Sequence, residues 1–101
     1  MRKGTQEISD ELAQLMSESI DAGYKFFTPA TMSFFDSIVH GDLHEGFFIT
    51  SEQNNSVWGG ERRFTIRHAE SPKDICTASE FGEFSTYEEA LEALTKSGEY
   101  L

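Results

Sequence analysis

Two runs of the chain alternate in step. Gly46-Phe47-Phe48-Ile49-Thr50-Ser51-Glu52 and Arg62-Arg63-Phe64-Thr65-Ile66-Arg67 place β-branched or aromatic residues at every second position, the period of a half-buried strand. Paired as an antiparallel hairpin, they put Phe47 and Ile49 on one face, where Phe64 and Ile66 meet them. Phe48 and Thr50 fall on the other face, with Arg63, Thr65 and Arg67 opposite. The rest of the chain is read as covering the first of these faces.

Before the hairpin, residues 5–22 show helical spacing. Ile8, Leu12, Leu15, Met16 and Ile20 form the apolar stripe, and Gly23 stands where a C-terminal cap belongs. Thr28-Pro29 opens a second, short helix ending near Ser37, with Thr28 as N-cap and Pro29 at the first helical position. Ile38-Val39-His40 is a candidate short strand and Gly41-Asp42 a turn. Residues 53–60 make a long loop inside the hairpin. After it, Ser71-Pro72-Lys73-Asp74 is a turn and residues 75–80 a third alternating strand. Ser85-Thr86-Tyr87-Glu88 matches a capping box and starts the last helix, whose stripe is Tyr87, Ala90, Leu91 and Leu94. Gly98 ends it. The order predicts one small acidic α+β domain over residues 1–101: N-terminal helix, short helix, three-stranded antiparallel sheet and C-terminal helix, stacked as a two-layer sandwich.

Charge narrows the functions open to such a domain. Eighteen acidic residues stand against eight basic ones, a formal net charge of −10. Phosphate neutralisation supplies most nucleic-acid affinity, so direct binding to nucleic acid or to an anionic membrane is disfavoured. Double-stranded-RNA-binding domains share the helix–three strands–helix order, but their second helix opens on a basic cluster. Here that place reads Phe84-Ser85-Thr86-Tyr87-Glu88-Glu89. Excess acid keeps a small protein soluble, and it also suits a basic protein surface. The polar N-terminus and the lack of a long apolar run predict a cytoplasmic protein.

Candidate chemistry is sparse. His40, His44, His68 and Cys76 are the soft metal ligands, and their spacing fits surface histidines with one buried strand cysteine better than a zinc site. Asp36, Asp42 and Glu45 flank His40 and His44, yet no nucleophile elbow, phosphate loop or His-Glu-x-x-His motif accompanies them. No catalytic residue, cofactor or metal is therefore assigned. Partner-binding candidates fall in two groups. Glu7, Glu11, Glu18 and Asp21 form an acidic row along the first helix, at intervals of roughly 5 to 10 Å. Such a row imitates a phosphate backbone, or is simply a solvated face. Phe48, Arg63 and Arg67 mark the second sheet face, either as a basic docking place or in cross-strand pairs with Glu52 or Glu80. Trp58, flanked by Gly59, is an interface anchor or a lid over the core.

One ordered set of residues carries a resemblance: Thr31-Met32-x-Phe34-Phe35-x-Ser37, Phe47-Phe48-Ile49-Thr50-Ser51-Glu52, Arg63-Phe64-Thr65-Ile66-Arg67, then Glu80-Phe81-x-x-Phe84 and an Ala-rich helix. Over about residues 28–95 the chain resembles a family of small uncharacterised proteins and domains of bacteriophage and bacterial genomes. The first helix lies outside that likeness. In the family the residue between Met32 and Phe34 is often Arg and the final helix is Arg-rich, where this chain has Ser33 and Glu88-Glu89. The resemblance implies no activity, cofactor or site. Together with size and acidity it leads to an expectation of a non-catalytic phage or mobile-element protein. Such a protein binds and inhibits a basic-faced host protein, for example a nucleic-acid-handling defence complex of the restriction or CRISPR type, by nucleic-acid mimicry or occlusion. The alternative is a general interaction module or a homodimeric assembly subunit that uses the Trp58 loop and the Arg63/Arg67 face.

Overall fold

The computed structural model describes residues 5–34, 36–53 and 59–96. The elements are β1 (Thr5–Ile8), α1 (Asp10–Asp21), α2 (Pro29–Phe34), β2 (Ile38–His44), β3 (Phe47–Gln53), β4 (Arg62–Ser71), β5 (Asp74–Thr77) and α3 (Tyr87–Lys96). The class is α+β, and the helices come in the expected order. The sheet is larger than the three strands expected. β2 to β5 form a four-stranded antiparallel meander, and β1 adds a parallel strand at the β2 edge, giving the order β1-β2-β3-β4-β5.

The central hairpin has the register its alternation predicts, with Ile49 opposite Ile66, Thr50 opposite Thr65 and Glu52 opposite Arg63. Elsewhere local signals move the boundaries. Residues 5–8 leave the expected helix because Ser9 is the N-cap, its hydroxyl accepting from Leu12 N–H at 3.2 Å. The chain before Ser9 then pairs with β2, Thr5 matching Val39 and Ile8 matching Gly41. Gly41-Asp42 is an irregularity within β2 rather than a turn. The turn comes later, at Glu45-Gly46, where φ is 52° and 91°. Positive φ at both central residues is the primed hairpin conformation that fits strand twist. The α3 box sits one residue later than expected. Thr86 caps Glu89 N–H at 3.1 Å, and the Glu89 carboxylate accepts from Ser85 N–H at 3.0 Å.

Both faces of the sheet are covered, which replaces the two-layer arrangement with a sheet between two helical layers. α3 lies on the face of Ile49 and Ile66 and contributes Ala90 and Leu94, with Phe47, Phe64, Tyr87 and Leu91 around them. α1 and the segment after it lie on the opposite face, where Leu12, Leu15 and Phe27 close over Val39, Phe48 and Ile75. The apolar stripe of α1 needs an apolar platform, and Phe48 supplies it from the face expected to be a docking place or a set of cross-strand pairs. Phe48 is fully buried, with the Phe27 ring at 5.8 Å and the Phe26 ring at 6.4 Å between centroids. Burying a phenylalanine contributes about 1.5–3 kcal/mol, enough to decide where α1 docks. The stripe is also turned from its expected line: Ser19 is buried and Ile20 is 44% exposed. At the β5 edge the Tyr24 hydroxyl accepts from Ile75 N–H at 3.3 Å and donates to Ile75 C=O at 3.4 Å. It caps an edge that is otherwise open to another strand. Cys76, expected to be buried, is exposed on this edge strand.

Candidate functional site

The side chains of β3 on the α1 side run Phe48, Thr50, Glu52, from apolar to charged. Phe48 lies under α1, whereas Glu52 lies beyond it and is still only 1% exposed. A buried carboxylate needs donors and a counter-charge. Thr50 Oγ1 donates to Oε2 at 2.6 Å, Arg67 Nη2 at 3.0 Å and Ser37 Oγ at 3.4 Å, while Thr65 Oγ1 donates to Oε1 at 3.2 Å. Arg67 also donates from Nε to Thr50 Oγ1 at 3.1 Å and from Nη1 to Thr77 Oγ1 at 3.2 Å. Its guanidinium carbon stands 5.1 Å from the Phe26 ring centre and 5.7 Å from that of Phe81, within cation–π range of both.

This network is the floor of a groove of about 510 Å³ between α2 and the segment before α3. Phe26, Met32, Phe34 and Phe81 wall it, with Glu52 and Arg67 beneath. Phe34 is 76% exposed and Phe81 41%; with Ile20 they are the large hydrophobics exposed among the described residues. The volume lies within the range of ordinary binding pockets, roughly 300–1,000 Å³, and the apolar wall over a few polar groups is their usual makeup.

The α3 side carries a different polar cluster. His40 Nε2 is 2.7 Å from Ser51 Oγ, and Ser51 Oγ also accepts from Arg62 Nη1 at 2.7 Å. Arg62 continues to Asp36 through an ion pair of 2.6 Å. The His40 ring lies between Phe64 and Tyr87, with centroids at 5.2 and 5.8 Å. Burial, then the nearby Arg62 charge, lowers its pKa from 6.5 to about 4, so the ring is neutral at pH 7. The Ser51–His40 distance is that of a nucleophile and its base, but Ser51 has no exposed surface and no substrate carbonyl reaches it. The cluster ties β2, β3 and β4 together.

The residues singled out in the sequence are dispersed. Glu11, Glu18 and Asp21 are exposed along the outer side of α1, joined by Gln14, which donates to Glu18 at 3.0 Å. α1 contains no basic residue. Glu7 is in β1, off the helix, and its side chain lies outside the described residues, as does Trp58. Phe48 is core rather than surface. Arg67 makes the pair with Glu52 that was the alternative to a docking role. Arg63 pairs with Glu61 at 3.3 Å and donates to Glu83 C=O at 3.1 Å. Of the soft ligands, His68 and Cys76 are cross-strand partners, with His68 stacked on Phe47 at 4.5 Å and 3.6 Å from Glu70, while His40 is engaged by Ser51. No group of three His, Cys, Asp or Glu side chains converges among the described residues. Nor is any helix among them long and apolar enough to cross a membrane.

The groove is not evident from the sequence. Its signal is Glu52 at an inward position of an alternating strand, two after Thr50, whose diagonal neighbour is Arg67. The walls come from Phe26, Phe34 and Phe81, which no local period links.

No curated protein and no solved structure matches the chain significantly. A family model described as "Family of unknown function (DUF7447)" matches residues 11–95. The match takes in nearly all of α1, so the first helix, expected to lie outside the family pattern, is part of it. Spanning most of the sequence, it shows that the chain belongs to the Family of unknown function (DUF7447).

Proposed function

We propose that the protein is a non-catalytic binding protein of phage or mobile-element type. It docks the acidic outer side of α1 on a basic-faced host protein and blocks a surface that otherwise holds nucleic acid. The observation that carries this reading is how the charge is distributed. The three arginines of β4 are engaged within the fold by Asp36, Glu61 and Glu52, while Glu11, Glu18 and Asp21 stand exposed on a helix without one cation. The acid excess is therefore presented outward and not neutralised locally. Carboxylates along α1 attract a basic channel over a Debye length, roughly 8 Å at physiological salt, and replace phosphate contacts where they meet it. A nucleic-acid-handling defence complex of the restriction or CRISPR type offers such a channel.

The test is a pull-down of the tagged protein from a bacterial lysate, washed at low and at high salt, with the retained proteins identified. A nucleic-acid-handling complex kept at low salt and released at high salt is the expected result. Retention of such a complex that ignores both salt and the substitutions Glu11→Lys, Glu18→Lys and Asp21→Lys would refute the electrostatic mechanism.

A further inference from the structure

We infer that the aromatic groove beside α2 is the seat for an apolar anchor side chain on a basic segment of the partner protein. The inference deepens the proposed function and rests on it for the sign of the partner's charge. Two of the three large hydrophobics exposed among the described residues, Phe34 and Phe81, stand on this one groove. Single exposed apolar residues are ordinary, but two aromatic rings on the rim of a cavity of about 510 Å³ concentrate apolar surface at one place.

The floor decides what fits. Glu52 already accepts four hydrogen bonds, and its charge is balanced by Arg67, so the pair offers an incoming ion neither a free carboxylate nor a net field. Among the described residues Arg67 makes three of the five donations a guanidinium can offer, which leaves capacity for a neutral acceptor such as a peptide carbonyl. The walls call for an apolar body of the size of one or two large side chains. The net charge of −10 repels the anionic forms such a body often takes, fatty acids and nucleotides among them, and favours one carried on a lysine- or arginine-rich segment. A few buried aromatic anchors, surrounded by near-neutral contacts that exclude water, carry most of the binding energy of an interface.

The test is a low-salt NMR titration with two capped peptides, Lys-Lys-Phe-Phe-Lys-Lys and Glu-Glu-Phe-Phe-Glu-Glu. Saturable shifts at Phe34, Phe81 and the Arg67 side chain with the basic peptide are expected, with binding about ten-fold tighter than for the acidic one. Phe34→Ala, which alters a side chain that is mostly in solvent, weakens it about ten-fold while the other resonances stay in place. Four outcomes would overturn the inference: shifts confined to α1, equal binding of the two peptides, no saturable shift, or dilution-dependent groove shifts without peptide, which assign the groove to a second copy. Shifts confined to α1 leave the proposed function standing. A groove that binds the basic peptide while Glu11→Lys and Glu18→Lys leave capture of the host complex unchanged retires the α1 mechanism and keeps the groove.

Discussion

The two faces of the sheet are covered in different ways. Toward α3, Ile49, Ile66, Ala90 and Leu94 make a continuous apolar contact, and the polar residues there, His40 and Ser51, are closed in by Phe64 and Tyr87. Toward α1 only half the face is apolar. Leu12 and Leu15 cover Val39, Phe48 and Ile75, and beyond them Thr50, Glu52, Thr65 and Arg67 satisfy one another beneath an open groove. One strand, β3, feeds both arrangements through its period of two. The contrast shows that a charged pair takes the place of a helix as cover where the apolar pattern stops, and so leaves room beside α2.

The comparison breaks most severely at Glu52. Glu52→Gln leaves the mostly enclosed Arg67 without its counter-charge, and urea unfolding should show a loss of about 3–5 kcal/mol. Adding Arg67→Met should restore most of that loss, because no uncompensated charge then remains and the new amide keeps Ser37, Thr50 and Thr65 as hydrogen-bond partners; a double variant as unstable as the single one would show that the network is held by something other than this pair. On the α3 side no such rescue exists. Leu94→Ala removes a fully buried side chain, and a loss of about 2–5 kcal/mol is expected from the same measurement.

Titration separates the faces further. The pKa of His40 lies near 4 in the folded protein against 6.5 unfolded, so between these values the unfolded chain holds more protons. Stability is then full above about pH 6.5 and falls as pH drops toward 4, by on the order of 1–3 kcal/mol. His40→Gln should flatten that part of the pH–stability profile, and an unchanged profile would move its origin elsewhere. The smallest effect belongs to the outer side of α1, where Glu18→Lys should shift stability by no more than about 0.5 kcal/mol, since the residue is exposed and its carboxylate accepts a hydrogen bond from Gln14 on the same helix.

Much of this arrangement is written in local pattern. The β3–β4 register follows from Phe47, Ile49, Phe64 and Ile66, and the last helix from Thr86, Ala90 and Leu94. What escapes is decided by tertiary pairing. Thr5–Ile8 has helical spacing with Leu12, yet Ser9 caps the helix and β2 offers a partner strand. Glu45-Gly46 lacks the Asn-Gly or Asp-Gly signal of a primed turn, and Glu45 adopts positive φ because the flanking strands demand it. The second helical layer is hidden for a simpler reason: Phe48 is apolar on a strand face that also carries Arg67 and Glu52, and alternation alone does not say how a mixed face is covered. The acids of α1 are legible as charge, while the groove needs Phe26, Phe34 and Phe81 to meet across the fold.

The central claim is that the α1 side, and not the α3 side, meets the partner. It is tested most directly by comparing two charge reversals in the salt-washed pull-down: Glu11→Lys with Glu18→Lys and Asp21→Lys on α1, and Glu88→Lys with Glu89→Lys and Glu92→Lys on α3. The account predicts that the α1 variant loses the low-salt complex and the α3 variant keeps it. Loss with the α3 variant alone would contradict it.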